Sequence, residues 1–108
     1  MKVLAAILAA IALGVTLYRR HHDQPAKGPM TPEQTNAMLA ELAPSVPEAT
    51  DWRESIVDLM KILRLDSSFD ARAELAAGLD MPSYRGSNAD NIALHKAVMA
   101  KAAAHKLG

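Results

Sequence analysis

The chain has 108 residues, half of them apolar, with 12 Lys and Arg balanced by 12 Asp and Glu and no cysteine. That length holds one small domain and one accessory segment, and the missing cysteine excludes disulfides, thiolate metal sites and a lipid-modified N-terminal cysteine. From Asp23 onward 9 basic residues face 12 acidic ones and the four aromatics are scattered, so neither a phosphate-tracking patch nor a base-stacking platform exists, which argues against nucleic acid as a partner.

Val3 to Tyr18 is a run of 16 residues without a charge. As a helix it reaches about 24 Å, short of the roughly 30 Å hydrocarbon core. Tyr18 at the interface, with Arg19 and Arg20 snorkelling toward head groups, brings spanning within reach, and residues 1–20 are read as a single-pass membrane anchor that meets the bilayer through residues 3–18. A cleaved signal peptide is the rival reading: Lys2 and the apolar run fit it, but Ala12-Leu13-Gly14 would be cut too early and the next apolar residues run into two arginines. A helix lying on the surface is the third. Flanking charge, Lys2 and the terminal amine against Arg19, Arg20, His21 and His22, favours a cytoplasmic C-terminal domain by a small margin. Ala6, Ala10 and Gly14 form a small-xxx-small stripe through which two such helices could self-associate, although an alanine-rich helix also produces that spacing by chance.

His21 to Met30 mixes charge with Pro25, Gly28 and Pro29 and has no apolar period, so 21–30 is read as a flexible linker. His21-His22-Asp23 lacks the further partners a metal site needs, because adjacent residues rarely direct three ligands to one ion; no metal or cofactor is expected.

Residues 31–108 read as a compact four-helix domain, which makes the class all-α. Thr31-Pro32-Glu33-Gln34 is a capping box with proline at the first helical position, opening a helix that carries Met38, Leu39 and Leu42 and stops before Pro44. Asp51, answered by Glu54, is expected to cap the main core helix, whose stripe is Trp52, Ile56, Leu59, Met60 and Leu63. After the Leu65-Asp66-Ser67-Ser68 corner, Ser67 should cap a helix that turns Phe69, Ala73, Ala76 and Leu79 inward and ends on a left-handed Gly78. A loop from Asp80 to Gly86 leads to Ser87, which caps the last helix with Asp90 three positions on and Lys101, His105 and Lys106 at its negative end.

Asp51-Trp52-Arg53, Ser55 to Lys61, Leu65-Asp66-Ser67-Ser68, Ala71-Arg72 and Glu74-Leu75-Ala76 resemble the bacterial domain-of-unknown-function family 3597, and Asn91-Ile92, Leu94-His95-Lys96 and Val98-Met99 resemble its closing helix. The resemblance covers residues 51–106. It implies five helices with a flexible loop after the first, and it implies no activity. Two departures stand out: Arg64 occupies a position where the family has glycine at the end of the long helix, and Ala93 one where the family tends to place tryptophan. The N-terminal segment is also more apolar than the family's amphipathic start, so membrane attachment is a reading of this chain alone.

His95 falls on the apolar arc of the last helix. It is read as a buried ring, hydrogen-bonded to the Asp-Ser-Ser corner, rather than as a catalytic base. Asp66, Ser67 and Ser68 hold the atoms of a hydrolase triad, but no nucleophile elbow surrounds them and capping explains them. Trp52 is read as closing one end of the core. These readings converge on a membrane-tethered, non-enzymatic helical interaction module with an unknown protein partner, whose binding surface is a groove between the last two helices around Tyr84, Arg85 and His95. The alternatives are a cell-envelope accessory domain in contact with peptidoglycan and a small hydrolase using His95.

Overall fold

A computed structural model describes residues 2–24 and 28–107. Among them are five α-helices: α1 (Lys2–His21), α2 (Pro32–Leu42), α3 (Ile56–Ile62), α4 (Phe69–Gly78) and α5 (Asn88–Ala103), with a 3-10 turn, Ala43–Ser45, after α2. Two short extended pairs, β1 (Gly28–Pro29) and β2 (Lys106–Leu107), meet antiparallel with Gly28 opposite Leu107. The class is all-α, with an apolar helix at the N-terminus.

α1 extends three residues beyond Tyr18 and is about 30 Å long. Ile7, Ile11 and Val15, spaced by four, make one face that is fully buried, with Arg19 next in the row. That face packs on α2, α4 and α5 and joins the same apolar core as Leu39, Ile56, Leu59, Met60, Leu75, Leu94 and Val98. The segment read as an anchor is therefore packed along one side of the domain. On its flank Gly14 lets α2 come close: a Cβ there would stand 2.7 Å from Met38 Sδ. So the end of the small-residue stripe meets a neighbour within the chain, while Ala6 at its start is exposed.

Residues 25–27 of the segment read as a linker lie outside the described residues. Its last residue, Met30, is fully buried, and the Met30 N–H donates to the His105 carbonyl at 3.0 Å. The chain following α1 is thereby joined to the end of α5.

The caps depart from expectation in three places. Thr31 caps α2 as read, accepting from Gln34 N–H at 3.2 Å, but the Gln34 side chain does not reach back; its Oε1 receives the Arg19 guanidinium at 2.7 and 3.0 Å. α3 begins at Ile56, capped by Ser55, which accepts from Asp58 N–H at 3.2 Å, not at Asp51. Ser55 is extended (φ −92°, ψ 120°), which breaks the helix that Asp51 would open, and residues 51–54 close as a separate turn with the Asp51 N–H bound to Asp58 Oδ2 at 2.9 Å. α4 is capped by Ser68 rather than Ser67, because Asp66 Oδ1 accepts the Ser68 N–H and turns the chain one residue later. Ala71, Leu75 and Ala76 are buried, and Phe69, expected inside, is about half exposed and lies against the Tyr84 ring.

The helix stops also differ. Gly78 remains helical, and the left-handed residue is Asp80 (φ 57°). Its N–H donates to Ala77 O while Met81 N–H donates to Ala76 O, the paired closure of a Schellman motif. Arg64 (φ 62°) closes α3 in the same way, with Arg64 N–H to Lys61 O and Leu65 N–H to Met60 O, and Asp23 (φ 56°) closes α1. Each of these stops uses a residue whose Cβ opposes the conformation, at a cost of about 1 kcal/mol.

Candidate functional site

Tyr84, Arg85 and His95 do not converge on one surface. Tyr84 belongs to a polar knot between α4 and α5. Arg72 Nη1 donates to Tyr84 Oη at 3.0 Å and to Asn91 Oδ1 at 2.9 Å, and the Tyr84 hydroxyl donates to the same Asn91 Oδ1 at 2.5 Å. Arg72 Nε holds the Ser67 carbonyl, Asn91 Nδ2 holds the Gly86 carbonyl, and the Tyr84 ring stacks on Phe69 with centroids 5.9 Å apart. The loop read as irregular is thus pinned at Tyr84 and Gly86. Gly86 (φ 81°) is required there, since a Cβ would stand 2.9 Å from the Phe69 ring.

Arg85 is exposed, and its N–H donates to Asp90 Oδ2 at 2.7 Å. That hydrogen bond, more than the Ser87 hydroxyl and N–H, holds the Asp90 carboxyl below its ordinary value of 3.8. The same carboxylate sits in the first turn of α5, where the helix dipole favours it.

His95 is buried, and Nε2 lies 2.8 Å from the Trp52 carbonyl oxygen. A carbonyl only accepts, so Nε2 carries the hydrogen. The partner is the backbone of the turn before α3, not the Asp-Ser-Ser corner. Trp52 itself is buried, as expected, with the Arg53 guanidinium 4.2 Å above its ring. Among the described residues no cluster of three His, Asp or Glu could hold a metal ion.

An open groove of about 760 Å³ lies elsewhere, between α1, α2 and the end of α3. Met38, Ile62 and Leu63 line its floor, and Leu13, Leu17 and Leu42 stand out of it, 62, 52 and 39 % exposed. Arg20 and Arg64 are on its rim, with Glu41, whose carboxylate accepts from His22 Nε2 at 2.9 Å. Reading the sequence missed this site because α1 is apolar on every side, so its composition does not tell the core face from the outer face; the i, i+4 pair Leu13 and Leu17, set opposite Ile7, Ile11 and Val15, was the available signal.

The architecture defines a five-helix, all-α domain with its apolar first helix packed against the rest. Residues 7–106 match the family described as domain of unknown function (DUF3597), and the chain belongs to that family. The match begins within α1, some 44 residues before the stretch on which the resemblance was recognised, so the first helix is part of what defines the family. Neither the curated proteins nor the solved structures contain a match.

Proposed function

We propose that the protein is a membrane-tethered, non-enzymatic helical interaction module, with α1 as the element that meets the bilayer. One observation carries the reading: α1 has 20 residues, and its most apolar 18-residue stretch has a mean hydropathy of 1.7. With its charged ends counted the helix is about 30 Å long, comparable to the hydrocarbon core of a bilayer, and its uncharged run is about 24 Å. Leu13 and Leu17 on its outer face sit in solvent, an arrangement relieved by contact with lipid. Arg20 and His21 are exposed in its C-terminal turn, where cations suit both the helix dipole and lipid head groups, and the excess of basic residues there over Lys2 favours the cytoplasmic side for the following domain. Binding rather than catalysis is supported by the engagement of His95 Nε2 and Ser68 Oγ with backbone groups.

Fractionation and labelling of the intact protein in cells test this. A single cysteine at Glu48, an exposed position in the loop after α2, can be labelled with an impermeant thiol reagent, since the native chain has none. Recovery with membranes and labelling only after lysis is the expected result. Labelling in intact cells would turn the module outward, toward the cell envelope, and recovery in the soluble fraction would sink the tether.

A further inference from the structure

We propose that the groove between α1, α2 and the end of α3 is the face on which the folded domain lies against an anionic phospholipid bilayer. Leu13, Leu17 and Leu42 enter the acyl region, and Arg20 and Arg64 meet lipid phosphates. The inference rests on the membrane reading above and names the lipid chemistry and the surface involved.

Three observations meet here. Five large apolar side chains are exposed among the described residues, Leu13, Leu17, Leu42, Phe69 and Ile92, and three of them border this one groove. Scattered apolar exposure is ordinary, but a cluster marks a contact surface. Next is charge: neither Arg20 nor Arg64 has a carboxylate partner among the described residues, and the one acid on the rim, Glu41, is engaged by His22. The rim therefore offers an anion two guanidinium groups whose charge no carboxylate offsets among the described residues. Finally, Arg64 occupies the left-handed stop of α3, where glycine would be unstrained. The side chain reaches toward Ser45 at the end of α2, with Nη2 3.5 Å from Oγ, so the strained residue holds a cation at the edge of the groove.

A lipid surface fits better than a protein partner. The side chains that protrude furthest are leucines, while Tyr18 and the two arginines lie at the edge, the arrangement of an interfacial belt around an acyl-facing centre. Leucines beside arginines match an acyl layer beneath phosphates. This contact leaves Ile7, Ile11 and Val15 in the core, so it requires no unpacking of α1. It is also salt-sensitive, which spanning is not.

The test uses the full chain with phosphatidylcholine vesicles, with and without phosphatidylglycerol, in flotation at low and high salt. Expected is binding only to the anionic vesicles, released by salt, about fivefold weaker in Arg20→Gln and in Arg64→Gly, and lost in Leu13→Gln/Leu17→Gln. Arg64→Gly is the informative variant because it relieves the left-handed strain: its unfolding midpoint should rise while its vesicle affinity falls, and a purely structural arginine would not separate the two. Binding indifferent to lipid charge and resistant to salt would mean that α1 inserts, which keeps the tether and overturns the groove. No binding to either vesicle overturns both. A concentration-dependent dimer abolished by Leu13→Gln/Leu17→Gln, without anionic binding, would assign the face to a second copy and also overturn the proposal.

Discussion

Gly14 of α1 and Met38 of α2 are in contact so close that the smallest side chain at position 14 would press into the thioether, 2.7 Å from Sδ and 2.9 Å from Cε. The glycine of the small-residue stripe thus serves helix packing inside the chain. Gly14→Ala is ambiguous, because a flexible Met side chain can yield and alanine favours helix. Gly14→Leu is not: it should cost about 1–3 kcal/mol in urea unfolding, and Met38→Ala should restore part of that. Unchanged stability would return Gly14 to an intermolecular role.

The His95 to Trp52 hydrogen bond ties α5 to the turn before α3 across 43 residues of chain. His95→Leu keeps the bulk and removes the donor, leaving a buried carbonyl without it, and should cost about 1–3 kcal/mol. His95→Gln, which can still donate, should lose less. Equal losses in the two variants would show that ring packing matters and the hydrogen bond does not.

Arg64 and Asp80 both hold φ near +60° at helix stops. Arg64→Gly and Asp80→Gly should each stabilise by about 1 kcal/mol, since glycine carries no Cβ penalty there, and the double variant should approach the sum because the two stops close different helices. Chemical denaturation of the three variants decides it; a loss of stability in either single variant would contradict the strain argument.

Much of this fold was legible from local rules, and the misreadings share a cause. Thr31 and Ser87 cap their helices as read, each accepting from the N–H three residues on, Gln34 and Asp90. Where two candidates compete within a few residues, as with Asp51 and Ser55 or Ser67 and Ser68, the choice depends on which carboxylate turns back on the chain, and here Asp58 and Asp66 decide it. The left-handed stop at Arg64 could be suspected only through the glycine of the family pattern, since the residue type itself argues against it. The groove was invisible for another reason: Leu13, Leu17 and Leu42 look like core residues, and only the packing of α1 reveals which side is left over.

Asp90 sets a pH dependence. Its carboxyl titrates lower in the folded chain than its ordinary 3.8, chiefly through the Arg85 N–H. A group depressed on folding contributes stability that is fully present above its unfolded value and is lost as pH falls through the lower, folded one. Asp90→Asn has no such proton to bind. The stability gap between wild type and Asp90→Asn should therefore hold steady near neutrality and narrow on acidification below 3.8. A gap that stays constant into strong acid would show that the Arg85 contact leaves the carboxyl unperturbed.

Ile11 decides whether α1 belongs to the domain energetically as it does geometrically. It is fully buried at the middle of the face that packs on the other helices, between Ile7 and Val15, four residues away on either side. If α1 were a detached anchor, truncating Ile11 would leave the unfolding of the remainder untouched. Packed as it is, Ile11→Ala should cost about 2–5 kcal/mol, in the same range as Leu59→Ala in α3, because each removes a fully buried aliphatic side chain from a common core. For a domain of this size such a loss is a large share of the total stability, so both variants should melt early and together by circular dichroism. Loss in Leu59→Ala with none in Ile11→Ala would separate α1 from the cooperative unit and restore the boundary drawn at residue 20. Losses in both would instead mean that any route into a bilayer has to overcome the docking of α1, and contact through its outer face, which leaves Ile11 in place, would then be the less costly way to reach the membrane.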